Sequence, residues 1–171
     1  MSEELVDAAR PVLFGEKLAA SQNFSQLFRD GMKLVEETAA YLDGPGRQES
    51  KGLGRSAALG YATESMRLTT RLMQLASWLL LHRAVNEGEM PLAQANRERM
   101  KVKLGSDERP EDSGIVLPER LTDLIVRSKK LQEEVRRLDT TIHAPLPAPH
   151  VGAQPLRDQL AVLRAAFESR A

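Results

Sequence analysis

The sequence predicts an all-α fold: an antiparallel three-helix bundle with a long central helix and a flexible C-terminal tail. Three observations predict it. Residues 61–85 contain no Pro or Gly and are rich in Leu, Met and Ala, which favour helix. Residues 21–42 and 118–142 repeat apolar side chains at three-four spacing and are bounded by helix breakers. No stretch shows strand-like alternation, and an aromatic share of 4% suits a Leu/Ala-rich helical protein better than a β-sandwich.

A length of 171 residues suits one domain with extensions, and an apolar share of 42% is enough for a core. The 24 Lys and Arg balance the 24 Asp and Glu, so no net field draws the chain to nucleic acid or an acidic membrane. Without Cys there is no disulfide, thiolate metal site or cysteine nucleophile. The acidic start lacks a secretory h-region, and the apolar run at residues 78–81 is far short of the ~20 residues that span a bilayer. The expectation is a cytoplasmic protein with no membrane contact and no direct nucleic-acid contact.

Residues 1–20, interrupted by Pro11 and Gly15, read as a flexible N-terminal arm. The first helix starts at Ser21 or Asn23 as N-cap and runs to Leu42. Its apolar side carries Phe24, Leu27, Phe28, Gly31, Leu34, Val35, Thr38 and Leu42, with Gly31 placed for close approach of a neighbour. Gly44, Pro45 and Gly46 stop it. Residues 47–54 read as a polar connection to the central helix, which Ser56 would cap and Asn86–Gly88 would end. Its length is about 45 Å at ~1.5 Å per residue.

That helix is apolar on two sides. One carries Leu59, Ala62, Met66, Thr69, Leu72 or Met73, Ala76, and Leu79 or Leu80; the other carries Tyr61, Leu68, Leu75, Trp78, Leu81 and Val85. A helix apolar nearly all round must be covered nearly all round. With few other helices available, a second subunit is the expected cover. Pro91 then opens a minor helix through Val102, residues 105–114 form a polar loop, and Pro118 opens the third main helix. Its buried face reads Leu117, Leu121, Leu124, Ile125, Ser128, Leu131, Val135, Leu138 and Ile142, with a Glu/Lys/Arg-rich opposite side. Residues 21–143 thus make the bundle, and 144–171 a Pro-rich linker and amphipathic tail.

No motif carries chemistry. The three histidines, His82, His143 and His150, lack the Glu-x-x-His spacing of bundle metal sites, and no phosphate loop or serine elbow occurs. No catalytic residue, cofactor or metal is assigned. Arg67 and Arg71 could bind a small anion on the central helix, which gives the alternative of a small all-helical enzyme. In the plainer reading they are solvated, or paired with Glu64 and carboxylates of the first helix. The basic residues at 97–103 and 127–137 are mixed with acids, which suits a solvated face or a protein partner better than phosphate.

Residues 35–44 (VEETAAYLDG), 61–90 (YATESMRLTTRLMQLASWLLLHRAVNEGEM) and 94–98 (QANRE) resemble the RcdA-like family of alphaproteobacteria over roughly residues 12–142. The resemblance implies a homodimeric three-helix bundle with no catalytic site. It implies an adaptor that links the ClpXP protease, through a response-regulator-like priming factor, to substrates that include cell-cycle transcriptional regulators. A cyclic-di-GMP-binding adaptor protein is a further implied partner, and recruitment to a cell pole a further implication. No family motif assigns residues to partners. From the residues alone, Tyr61, Leu68, Leu75, Trp78 and Leu81 are expected at the dimer interface, with Trp78 in one subunit's core as the competing reading. In the tail, Leu156, Leu160, Leu163 and Phe167 form the expected docking face; an end folded back on the bundle is the alternative.

Overall fold

A computed structural model describes residues 21–102, 104 and 114–143. The expected N-terminal arm and the linker and tail, with Leu156, Leu160, Leu163 and Phe167, lie outside the described residues. Within them the chain forms α1 (Gln22–Asp43), α2 (Pro45–Lys51), α3 (Arg55–Asn86), α4 (Leu92–Arg99) and α5 (Glu119–Ile142), and no strand. The all-α prediction holds. The three long helices each pack against the other two.

Ser21 caps α1, its hydroxyl accepting from the Phe24 N–H at 3.4 Å. At α3 the cap is Gly54 rather than Ser56. Gly88, at φ +74°, turns the chain away where the sequence expects α3 to stop. α2 replaces the expected polar connection. Pro45 starts it at a position that needs no N–H, and the Tyr41 hydroxyl donates to Glu49 Oε2 at 2.7 Å. Gly46 is its buried contact: a Cβ there would lie 2.6 Å from the Tyr61 hydroxyl and 2.8 Å from the Tyr41 carbonyl.

The helix directions correct the wholly antiparallel expectation. α1 is antiparallel to α3, with Phe24 beside Trp78 (ring centroids 6.3 Å) at one end and Gly46 beside Tyr61 at the other. It is antiparallel to α5 as well, since Glu37 pairs with Arg127 and Arg120 lies over the Tyr41 ring. α5, however, runs parallel to α3. Ile115 abuts Gly60, Arg71 donates to Ser128, and Trp78 donates to Asp139, in rising order along both helices. The long connection explains it. α4 stays at the far end, where Arg99 holds Asp139 and Arg136 holds the Leu104 carbonyl. By Ile115 the chain is back beside Gly60, so α5 starts at the end where α3 starts.

One core joins the three helices, centred on the fully buried Tyr41, Leu68, Leu75, Trp78, Leu79, Leu121, Leu124 and Val135. Gly31 lies where α1 meets both partners: its Cβ would sit 2.5 Å from Leu79 Cδ1 and 3.6 Å from Leu131 Cδ2. The expected buried face of α5 is observed, with Gln132 added and Leu117 and Leu138 only partly covered. In α1 the fully buried last-turn residue is Tyr41, not the predicted Leu42.

Candidate interaction surface

The two sides of α3 have different fates. Tyr61, Leu68, Leu75 and His82, seven residues apart, face the core with Arg71, Leu72, Trp78 and Leu79. Two residues back, about 200° round a helix, lie Leu59, Met66, Met73 and Leu80, which are 70%, 72%, 66% and 52% exposed. Ser56, Ala62, Thr69, Thr70 and Ser77 complete the exposed positions between 56 and 80, and none is charged. α5 shows what a solvated face looks like here: Asp123, Lys129, Lys130, Glu133, Glu134 and Arg137 are exposed. An uncharged helix face carrying four large apolar side chains is therefore the unusual surface of this molecule.

The residues expected at the dimer interface lie on the other side. Tyr61, Leu68, Leu75 and Trp78 are in this chain's own core, and Leu81 is half-buried. Their expected place at a dimer interface is corrected: this chain's own helices cover them, and Trp78 takes the competing place in one subunit's core. Trp78 shows why: its indole N–H donates to Asp139 Oδ1 at 2.8 Å, and a buried indole needs such an acceptor. Arg67 and Arg71 do not converge on one open site either. Arg67 pairs with Glu64 at 2.7 Å on the surface, while Arg71 is buried and donates to Ser128 Oγ at 2.9 Å.

A polar cluster closes the far end of α3 on its core side. Asp139 accepts from Trp78 and from Arg99 Nη1, the latter at 2.6 Å. His82 stacks on Trp78 with centroids 3.9 Å apart, its Nδ1 3.0 Å from the Trp78 carbonyl. His143 meets His82 edge-on at 5.6 Å, and its Nε2 is 3.5 Å from Asp139 Oδ1. Burial pushes both imidazoles below their ordinary pKa; Arg99 adds to this and Asp139 opposes it. The cluster fixes α4 and the end of α5 to α3. His143, just past the end of α5, therefore lies at the His82 end of α3.

Residues 15–167 match the family model described as "Protein of unknown function (DUF1465)". The chain belongs to this RcdA-like family. It is also 52% identical to the crystal structure of RcdA from Caulobacter crescentus CB15, with a TM-score of 0.65 over 77% of this chain and 99% of that one. No curated protein matches. The resemblance read from residues 35–44, 61–90 and 94–98 thus stands.

Other surfaces of this RcdA-like chain are less distinctive. An open groove is lined by Phe24, Phe28, Arg83 and Glu87, with the Arg83 guanidinium 4.8 Å above the Phe28 ring. Between α1 and α5, Arg127 bridges Glu37 at 2.8 Å and holds its carboxyl below the usual range. No helix among the described residues is long and apolar enough to cross a membrane. The sequence did carry a signal for the stripe, the strict seven-residue spacing of Leu59, Met66, Met73 and Leu80. The core side of α3 shares that spacing, so the period alone could not say which side is covered from within.

Proposed function

We propose that this chain is a non-enzymatic adaptor that helps deliver substrates, such as cell-cycle transcriptional regulators, to the ClpXP protease through protein–protein contacts. The observation that carries the reading is the uncharged stripe of α3, a surface suited to another helix rather than to water. Membership of the RcdA-like family supports it. In this reading the chain is a cytoplasmic homodimer, recruited to a cell pole. It works with a response-regulator-like priming factor and a cyclic-di-GMP-binding adaptor. The tail face of Leu156, Leu160, Leu163 and Phe167 is a tethered docking element. A short flexible link holds such an element at roughly millimolar effective concentration, which makes weak contacts useful.

The test is reconstituted degradation with ClpXP, the priming factor and a transcriptional-regulator substrate. Substrate should disappear faster when this protein is added. Removing residues 144–171 should reduce that gain while sparing the helical circular-dichroism signal. No acceleration across several substrates, with the priming factor shown active, would overturn the adaptor reading.

A further inference from the structure

The exposed stripe has an internal symmetry. Leu59 and Leu80 are equidistant from the peptide joining Thr69 and Thr70, and so are Met66 and Met73, and Ala62 and Ser77. Read outward from that point, the face presents the same order of side chains in both directions: small, Met, small, Leu. We propose that α3 packs antiparallel against α3 of a second copy, about a two-fold axis at Thr69–Thr70. Leu59 then meets the partner's Leu80, and Met66 the partner's Met73. This rests on the homodimer of the preceding reading and adds its register.

Three further features select this arrangement. Thr69 and Thr70 at the axis, with Ala62 and Ser77 beyond, let two backbones approach to the short end of the ~8–10 Å range for packed helices. The strict seven-residue repeat drifts ~20° per heptad on a straight helix, and a gentle left-handed supercoil removes that drift. Antiparallel pairing opposes the two helix dipoles, whereas a parallel pair would align them. The two-fold closes on itself, so the stripe is used once and is not offered to a third copy.

The chain lacks cysteine, so single cysteines report the register in the full-length protein. Thr69→Cys should self-link through a short bismaleimide. Leu59→Cys alone and Leu80→Cys alone should not, because like positions lie ~32 Å apart along the helix. Mixing those two variants should give the cross-linked dimer. Leu59 and Leu80 are exposed, so the fold tolerates both changes, and circular dichroism checks it. Met66→Glu should halve the sedimentation mass with the helical signal unchanged. Self-linking of Leu59→Cys, or a Met66→Glu protein that remains a dimer, would overturn the register. A full-length protein that is monomeric at tens of micromolar would overturn the self-pairing itself and leave the stripe to the chain's own tail or to another protein. Neither result would decide the degradation assay, so the adaptor reading stands or fails separately.

Discussion

Asp139 holds the far end of the molecule together, accepting from both Trp78 and Arg99. Asp139→Ala would leave a buried indole N–H and a guanidinium without their acceptor. The expected loss is about 2–3 kcal/mol, read as a lower urea midpoint. The neighbouring histidines add a pH dependence with a definite sign. His82 and His143 have folded pKa values below the ordinary 6.5, so the unfolded chain binds more protons as pH falls through that value. Their contribution to stability is complete above about pH 7 and declines as pH drops through 6.5 toward the folded values. Melting temperature should therefore fall between pH 7 and 5, and less steeply in His82→Phe. None of this cluster was legible in the sequence, because its members come from three separated segments. Trp78 was legible as an anchor, but its acceptor, 61 residues away, decides that it anchors inward.

At the scale of the element, α3 is one helix with two apolar sides, and burial separates them. Leu68→Ala removes a fully buried side chain and should cost about 2–5 kcal/mol at any protein concentration. Met73→Ala removes one that is 66% exposed, so its cost should appear only where a dimer is populated and vanish on dilution. Concentration-dependent urea titrations of the two variants would show whether the faces have been told apart. α2 offers a second test. Gly46→Ala forces a methyl group against the Tyr61 hydroxyl and the Tyr41 carbonyl, and should destabilise by about 1–3 kcal/mol in the same titration. The bounds of α1 and α5 and most of their buried faces were readable because caps, breakers and a single apolar stripe agreed. α2 was not, since a seven-residue polar helix has no stripe to read and depends on contacts from Tyr41 and Tyr61.

Over the whole molecule, the direction of α5 decides which surfaces lie together. Short connections between antiparallel neighbours made an up-down-up bundle the natural expectation, and local sequence cannot report that Ile115 lies beside Gly60 before α5 begins. The polar pairs across α3 and α5 report it instead. Because the two helices run in the same direction, His143 ends α5 beside His82, at the Leu80 end of the stripe. An antiparallel α5 would set His143 at the Leu59 end instead. Spin labels on two introduced cysteines measure this directly. A pair at Glu87 and Thr140, both exposed, should be close, whereas a pair at Glu87 and Glu119 should lie farther apart by about 30 Å, the rise of the intervening turns of α5. Diluting labelled chains with unlabelled ones removes distances between copies. If the two pairs exchanged their distances, α5 would run the other way, and His143 would lie at the Leu59 end of the stripe.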